Sequence, residues 1–238
     1  MSAEQAATAT PSNQGPPLFW RLWLAGFAVF LLLAGLAVFY DYFPSDLRIA
    51  HAVQGIEVPA LGGAFGFTNQ AGDTLWASAS WGIVIAGMAL LTRWRDAAYL
   101  FLAIVPRGVN PLVKVIVDRP RPSPTLVHIG EDASGSGFPS GHVTSALTFY
   151  VLLFVIAFFA IRQPALRAAL QGFCLFMVVV VGPGRVYSGA HWPSDVLGGY
   201  LLSALFLAPV LRWYWSGREP GAGPVLNWSR ITPKLGLR

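Results

Sequence analysis

Apolar residues in this chain come in long runs, separated by short stretches that hold most of the charge. The runs lie near residues 19–40, 74–92, 97–117, 142–161, 168–184 and 193–215. Each is close to the ~20 residues that cross a bilayer as a helix. The third is interrupted by Pro106, Arg107, Gly108, Asn110 and Pro111, which predicts a broken or kinked helix. The pattern predicts an all-α, polytopic membrane protein with six transmembrane helices inside residues 18–215. Residues 44–72 are longer than a hairpin between helices needs. Their apolar positions, Leu47, Ile49, Ala50, Val53, Ile56, Val58, Leu61 and Phe65, suggest an interfacial linker, with a lid over a site as the alternative. Gly62, Gly63 and Gly66 are expected to limit its regularity.

The ends read differently. Residues 1–17 are rich in Ala, Thr, Gln and Pro and lack the basic start of a signal peptide, so a disordered N-terminal tail is expected. Residues 216–238 read as a cytoplasmic C-terminal tail.

Composition agrees with the pattern. The chain is 55% hydrophobic and 11% charged, with mean hydropathy +0.56, where a soluble domain carries roughly 25% charge. A large soluble core is excluded. The net charge of +5 does not point to nucleic acid, because the basic residues stand at segment ends and form no patch. Arg93 and Arg95 lie between runs two and three, and Arg162 and Arg167 between four and five. Arg212, Arg218, Arg230, Lys234 and Arg238 lie at or after the end of run six. Under the positive-inside rule these face the cytoplasm, which places both termini inside. Cys174 falls within run five and is the only cysteine, so it reads as core filler and no intramolecular disulfide can form. No obligate protein partner is inferred.

Against this background a few polar residues stand out. Lys114 sits near one end of an apolar run, and Arg119 and Arg121 follow on the side where the positive-inside rule disfavours cations. Three cations there call for an anion. Asp118, Glu131 and Asp132 could partly serve, and a phosphate would match better. Ser140 is a good N-cap for the fourth run, Gly141 allows close backbone approach, and His142 then opens the helix. Free N–H groups at such a helix start bind anions. Arg185 precedes His191 with five residues between, and Asp195 follows with three between. Pro193 is a natural first helical residue, so Asp195 should lie in the first turn and reach back to the imidazole. A carboxylate there fixes the tautomer and leaves the other nitrogen to attack or to accept a proton. Arg185 adds a forked cation. Taken singly, PSGH and HWPSD also fit plain capped helix starts. His51 and His128 read as surface residues. The alignment of Lys114, Arg121, Ser140, Gly141, His142, Arg185 and His191 at run ends on one side of the membrane is what indicates a phosphate-transfer site.

These residues resemble the three signature motifs of the type 2 phosphatidic acid phosphatase superfamily. They are Lys114-x6-Arg121-Pro122, then Pro139-Ser140-Gly141-His142, then Arg185-x5-His191-x3-Asp195. The resemblance is to the integral-membrane lipid phosphatases and covers residues 97 to 200. It departs at Gly184, where that family usually has Ser. The resemblance implies a metal-independent, cofactor-free mechanism through a phosphohistidine. His191 would be the nucleophile, oriented by Asp195, and His142 the general acid. Lys114, Arg121, Arg185, Ser140 and Gly141 would hold the phosphoryl oxygens.

Phosphoryl transfer needs positioning and charge neutralisation above all, and fixed cations can supply both. The substrate would be a membrane lipid, with undecaprenyl diphosphate favoured on resemblance over phosphatidylglycerol phosphate and phosphatidic acid. The alternatives are a lipid phosphotransferase and a non-enzymatic phospholipid-binding or transport protein. A haloperoxidase, which shares the motifs, is disfavoured by the membrane spans.

The expected orientation puts residues 118–141 and 185–192 outside the cell. With Cys174 replaced, Ser134→Cys should react with an impermeant thiol reagent on intact cells, and Ser216→Cys should not. The reverse pattern would invert the topology.

Overall fold

In the computed structural model, residues 18–216 are described, and all regular structure among them is helical. The expected tails, 1–17 and 217–238, lie outside the described residues. The helices are α1 (Leu18–Phe39), α2 (Pro44–Gln54), α3 (Pro59–Gly72), α4 (Thr74–Leu90), α5 (Trp94–Leu102), α6 (Val105–Val117), α7 (Gly141–Ala160), α8 (Pro164–Tyr187) and α9 (Pro193–Ser216). Five of them have proline at the first or second position: α2, α3, α6, α8 and α9. The fixed φ of proline suits that place, and its missing N–H would be unpaired there.

The six apolar runs all fall on helices, five of which meet the length and apolarity of a bilayer crossing. Five segments are long and apolar enough to cross a bilayer: α1, the pair α5–α6 taken together as Trp94–Val117, α7, α8 and α9. The sixth, α4, has 17 residues, the short end of the spanning range. The interruption in the third run is a true break. α5 ends at Leu102 and α6 starts at Val105 with Pro106 in its first turn, because Pro106 has no N–H to continue the helical ladder.

Residues 44–72 correct the sequence reading. They form two helices, and α3 accommodates Gly62, Gly63 and Gly66 within its length. A glycine in a helix costs about 1 kcal/mol against alanine, which tertiary packing offsets here. α3 lies against α8, and α2 against α8 and α9. The segment is therefore part of the packed structure, and it delivers the buried carboxylate of Asp46 to the centre.

α7 is the central element, with 72% of its most apolar window buried, against 11% for α1. Around it α6, α8 and α9 bring their ends together. α1 buries Phe30, Ala34 and Ala37 and leaves Leu22, Leu31 and Leu32 exposed. That surface would be a liability in water and is ordinary against lipid. α9 approaches the loop before α7 at Gly198, where a Cβ would stand 2.3 Å from the Phe138 ring. Only glycine permits that contact. The result is that the end of α6, the start of α7, the end of α8 and the start of α9 meet at one pole of the bundle.

Candidate active site

At that pole the turn between α8 and α9 carries His191, 2% exposed. The turn works as its sequence suggests: α9 starts at Pro193, and Asp195 lies in its first turn. Gly189 has φ +70°, and a Cβ there would sit 2.2 Å from the His128 carbonyl. A side chain would not fit that turn.

The imidazole is held from two sides. Its Nε2 lies 3.2 Å from Arg121 Nη1, and its Nδ1 lies 3.6 Å from Asp195 Oδ2. A guanidinium only donates, so Nε2 is the acceptor and the ring proton sits on Nδ1, toward the carboxylate. The arrangement leaves a lone pair on Nε2, among cations. Burial first, then the charges of Arg121, Lys114, Arg185 and His142, hold the imidazole well below the usual histidine range. His191 is thus neutral at physiological pH.

Asp195 makes its short bonds elsewhere. Oδ2 accepts from the Trp192 N–H at 2.9 Å, and Oδ1 from Arg119 at 2.7 Å. This answers the question of what anion Arg119 needs. Arg119, 1% exposed, is not a phosphate ligand in this arrangement. Its Nη2 donates to Asp46 Oδ2 at 3.0 Å, its Nη1 to Ser194 Oγ at 2.6 Å, and its Nε to the Tyr40 carbonyl at 3.1 Å. Asp46 in turn accepts the Ser194 N–H at 2.8 Å and its hydroxyl at 2.6 Å. Asp118 has φ 44° at the end of α6, a left-handed turn that Asp tolerates and from which Arg119 enters the protein. Sequence reasoning missed Asp46 because it lies on a short helix read as a linker.

The remaining cations ring the imidazole. Arg121 donates to the Ala190 carbonyl at 2.7 Å and to the carbonyls of Ser134 and Gly135 at 3.1 and 2.9 Å. Burial, then the nearby Arg185 charge, pull its pKa below the usual arginine value. Lys114 donates to the carbonyls of Ser136 and Gly137. Arg185, 2% exposed, gives both bonds of its Nη1 to Glu131, at 2.9 and 2.7 Å, while its Nε is buried without a partner.

Ser140 occupies the N-cap position of α7, yet its side chain makes no capping bond. Its hydroxyl is buried with no partner. His142 is the second residue of α7, and its Nε2 lies 3.4 Å from Asp73 Oδ1. Asn110 of α6 braces this corner, donating to the Pro139 carbonyl at 3.3 Å and to Thr144 Oγ1 at 3.1 Å.

At Gly184 a Cβ would meet Thr68 Oγ1 at 3.2 Å and Asn69 Oδ1 at 3.4 Å. The close passage of α3 gives this chain a physical reason for glycine where a serine was expected. His51 and His128 stay outside the cluster: His51 Nε2 is 2.8 Å from the Leu126 carbonyl, and His128 is exposed.

All eight residues singled out in the sequence therefore lie at one pole, with two imidazoles, three cations and an unpartnered hydroxyl. Comparison with known proteins gives the same direction. A family model described as the PAP2 superfamily matches residues 95–219. Phosphatidylglycerophosphatase B of Bacillus subtilis is 34% identical over 129 residues, covering 52% of this chain and 60% of that protein. A lipid A 1-phosphatase of Rhizobium johnstonii is 32% identical over 126 residues, covering 50% of this chain and 47% of that protein. The chain thus spans about half to three-fifths of the length of these curated relatives. Among solved structures, the transmembrane PAP2 type phosphatidylglycerolphosphate phosphatase from Bacillus subtilis superposes with a TM-score of 0.66 at 25% identity, over 83% of this chain and 98% of that one.

Arg119 is the element whose loss should be felt most in stability. Arg119→Met leaves Asp46 and Asp195 buried without their cation, a change of about 3–5 kcal/mol. The thermal midpoint of the detergent-solubilised protein should fall clearly, whereas an unchanged midpoint would show that the cluster holds nothing together.

Proposed function

Because the chain belongs to the PAP2 superfamily, a family of membrane phosphatases in the relatives named above, we propose that it is a lipid phosphate phosphatase working through a phosphohistidine on His191. The observation that carries this reading is the His191 ring itself. Its Nδ1 faces a buried carboxylate, its Nε2 accepts from Arg121, and burial keeps it neutral.

The steps follow from the positions. A lipid phosphate enters from the bilayer with its headgroup at the pole and its tail among lipid. Its phosphoryl oxygens take Arg121 and Lys114 from their loop carbonyls, together with the unpartnered Arg185 Nε, the Ser140 hydroxyl and the Gly141 N–H at the start of α7. Arg121 thereby leaves Nε2, and the lone pair is released at the phosphorus. His191 Nε2 forms the P–N bond as the P–O bond to the lipid breaks, and protonated His142 gives its proton to the departing alkoxide. Asp195 stabilises the charge that develops on the His191 ring. Water then gives a proton to His142 and attacks phosphorus. The P–N bond breaks, inorganic phosphate leaves, and both histidines return to their starting states. The fixed cations neutralise the transferring group, the part a metal ion takes in other phosphoryl-transfer sites. This supports metal-independent hydrolysis.

The substrate class is the lipid phosphates named for the relatives, phosphatidylglycerol phosphate and lipid A 1-phosphate among them, with undecaprenyl diphosphate and phosphatidic acid as further candidates. Purified protein in detergent should release inorganic phosphate from phosphatidic acid in the presence of EDTA, and vanadate should inhibit it. His191→Ala should abolish release, and Asp195→Asn should reduce kcat severely. Wild-type rates in His191→Ala would refute the covalent route, and a strict Mg²⁺ requirement would refute its metal independence.

A further inference from the structure

The cations of the site are not evenly spread. On the side of α6 and the loop after it stand Lys114 and Arg121, beside His191 Nε2. Where α3 ends, two carboxylates, Asp73 and Glu131, stand with Arg185 beside His142. Asp73 Oδ1 lies 3.4 Å from His142 Nε2, and the Asp73 side chain is 55% exposed. Glu131 takes both bonds from Arg185 Nη1 and accepts a third from Asn69 Nδ2 at 3.2 Å. Asn69, Gly72 and Asp73 are consecutive elements of one wall, since Gly72 packs directly on the His142 ring. The wall is fixed in place: α3 is packed on α8, and Asn69 and Arg185 hold the Glu131 carboxylate from two helices.

On the reading of His142 as proton donor, on which this inference rests, the leaving group departs along that wall. The chemistry of the departing oxygen then differs sharply between substrate classes. A phosphate monoester leaves as an uncharged alcohol once protonated. A diphosphate leaves as a second phosphate, which carries at least one negative charge through the reaction and would come to rest beside Asp73 and Glu131. Like charges at such separations oppose each other appreciably in a partly dry site.

We infer that Asp73 and Glu131 form an acidic wall on the leaving-group side that selects phosphate monoesters of uncharged lipid alcohols over lipid diphosphates. The two carboxylates differ in attachment. Glu131 also anchors Arg185, whereas Asp73 stands half in solvent with its carboxylate toward His142. The inference departs from the undecaprenyl diphosphate preference expected from sequence resemblance.

Farnesyl phosphate and farnesyl diphosphate share one tail and isolate the difference in charge. Wild-type protein should show kcat/KM at least about tenfold higher for the monophosphate, equal to ~1.4 kcal/mol of differential transition-state binding. Glu131→Gln should raise kcat/KM for the diphosphate in absolute terms by about tenfold, chiefly through a lower KM, and so close the gap. Asp73→Asn should raise it in the same direction. Its neutral side chain also weakens His142 as an acid, which slows the monoester but matters little for a phosphate leaving group. An absolute gain on the diphosphate therefore reports charge and not acid strength. Equal wild-type rates on the two substrates, or a fall on both substrates in Glu131→Gln together with no gain in Asp73→Asn, would overturn the wall as a selector and leave the phosphatase reading intact. Absence of turnover on both substrates by the wild type would overturn both readings.

Discussion

One buried cation holds the pole of this protein together. Arg119 lies between Asp46 on α2 and Asp195 on α9, with every one of these side chains at or below 2% exposure. Such a cluster contributes little net stability compared with a well-packed apolar core, because three charges must lose their water. Its consequence is geometric. It ties the segment before α2, the exit from α6 and the start of α9 to one point. It also occupies Asp195 Oδ1, so that only Oδ2 is left to face the His191 ring. With Arg119 on Oδ1 and the Trp192 N–H on Oδ2, the carboxylate has a fixed direction opposite the imidazole.

The site is built outward from that point with a clear division of labour. The loop carbonyls of residues 134–137 hold Lys114 and Arg121. Buried cations are thereby kept paired with dipoles instead of carboxylates, which under the proposed function a phosphate would replace at low cost. Arg185 is treated differently: a full carboxylate, Glu131, holds one of its nitrogens and leaves another unpartnered. Ser140 keeps its hydroxyl unpaired although the neighbouring helix start would accept it as a cap. Unsatisfied polar atoms are rare in packed protein, and two of those found among the described residues, Arg185 Nε and the Ser140 hydroxyl, belong to this site.

Much of this was legible in the sequence, for reasons that particular residues make plain. The spacing from His191 through Pro193 to Asp195 is local. Proline chemistry and one helical turn are enough to place the carboxylate behind the ring. The broken third span was legible from Pro106 in the same way. The run-end positions of Lys114, His142 and Arg185 placed them at one pole once the spans were counted. What was not legible depended on contacts between distant segments. Asp46 looks like any surface acid on a short amphipathic stretch, and only the docking of α2 on α8 and α9 shows that it is buried. Arg119 looked like a third phosphate ligand until its two carboxylate partners were seen. Glycines 62, 63 and 66 argued against the helix that α3 forms, because intrinsic propensity is a weak guide where packing decides. The wall of Asn69, Asp73 and Glu131 joins a helix end to a loop some sixty residues away, a pairing no local pattern encodes.

The central claim is that phosphorus passes through a covalent bond to His191. It is tested most directly by trapping that bond. His142→Ala, which lacks the proton donor and the base for hydrolysis, is mixed with p-nitrophenyl phosphate, whose leaving group needs little protonation. The reaction is quenched in alkali, where phosphohistidine survives, and the peptide containing residues 186–212 is examined by mass spectrometry. The account predicts one added phosphoryl group on that peptide, located at His191, formed in a burst equal to the enzyme present and absent from the His142→Ala/His191→Ala double variant. A burst of p-nitrophenol with no phosphoryl group on His191, or with the label on another residue, would contradict it.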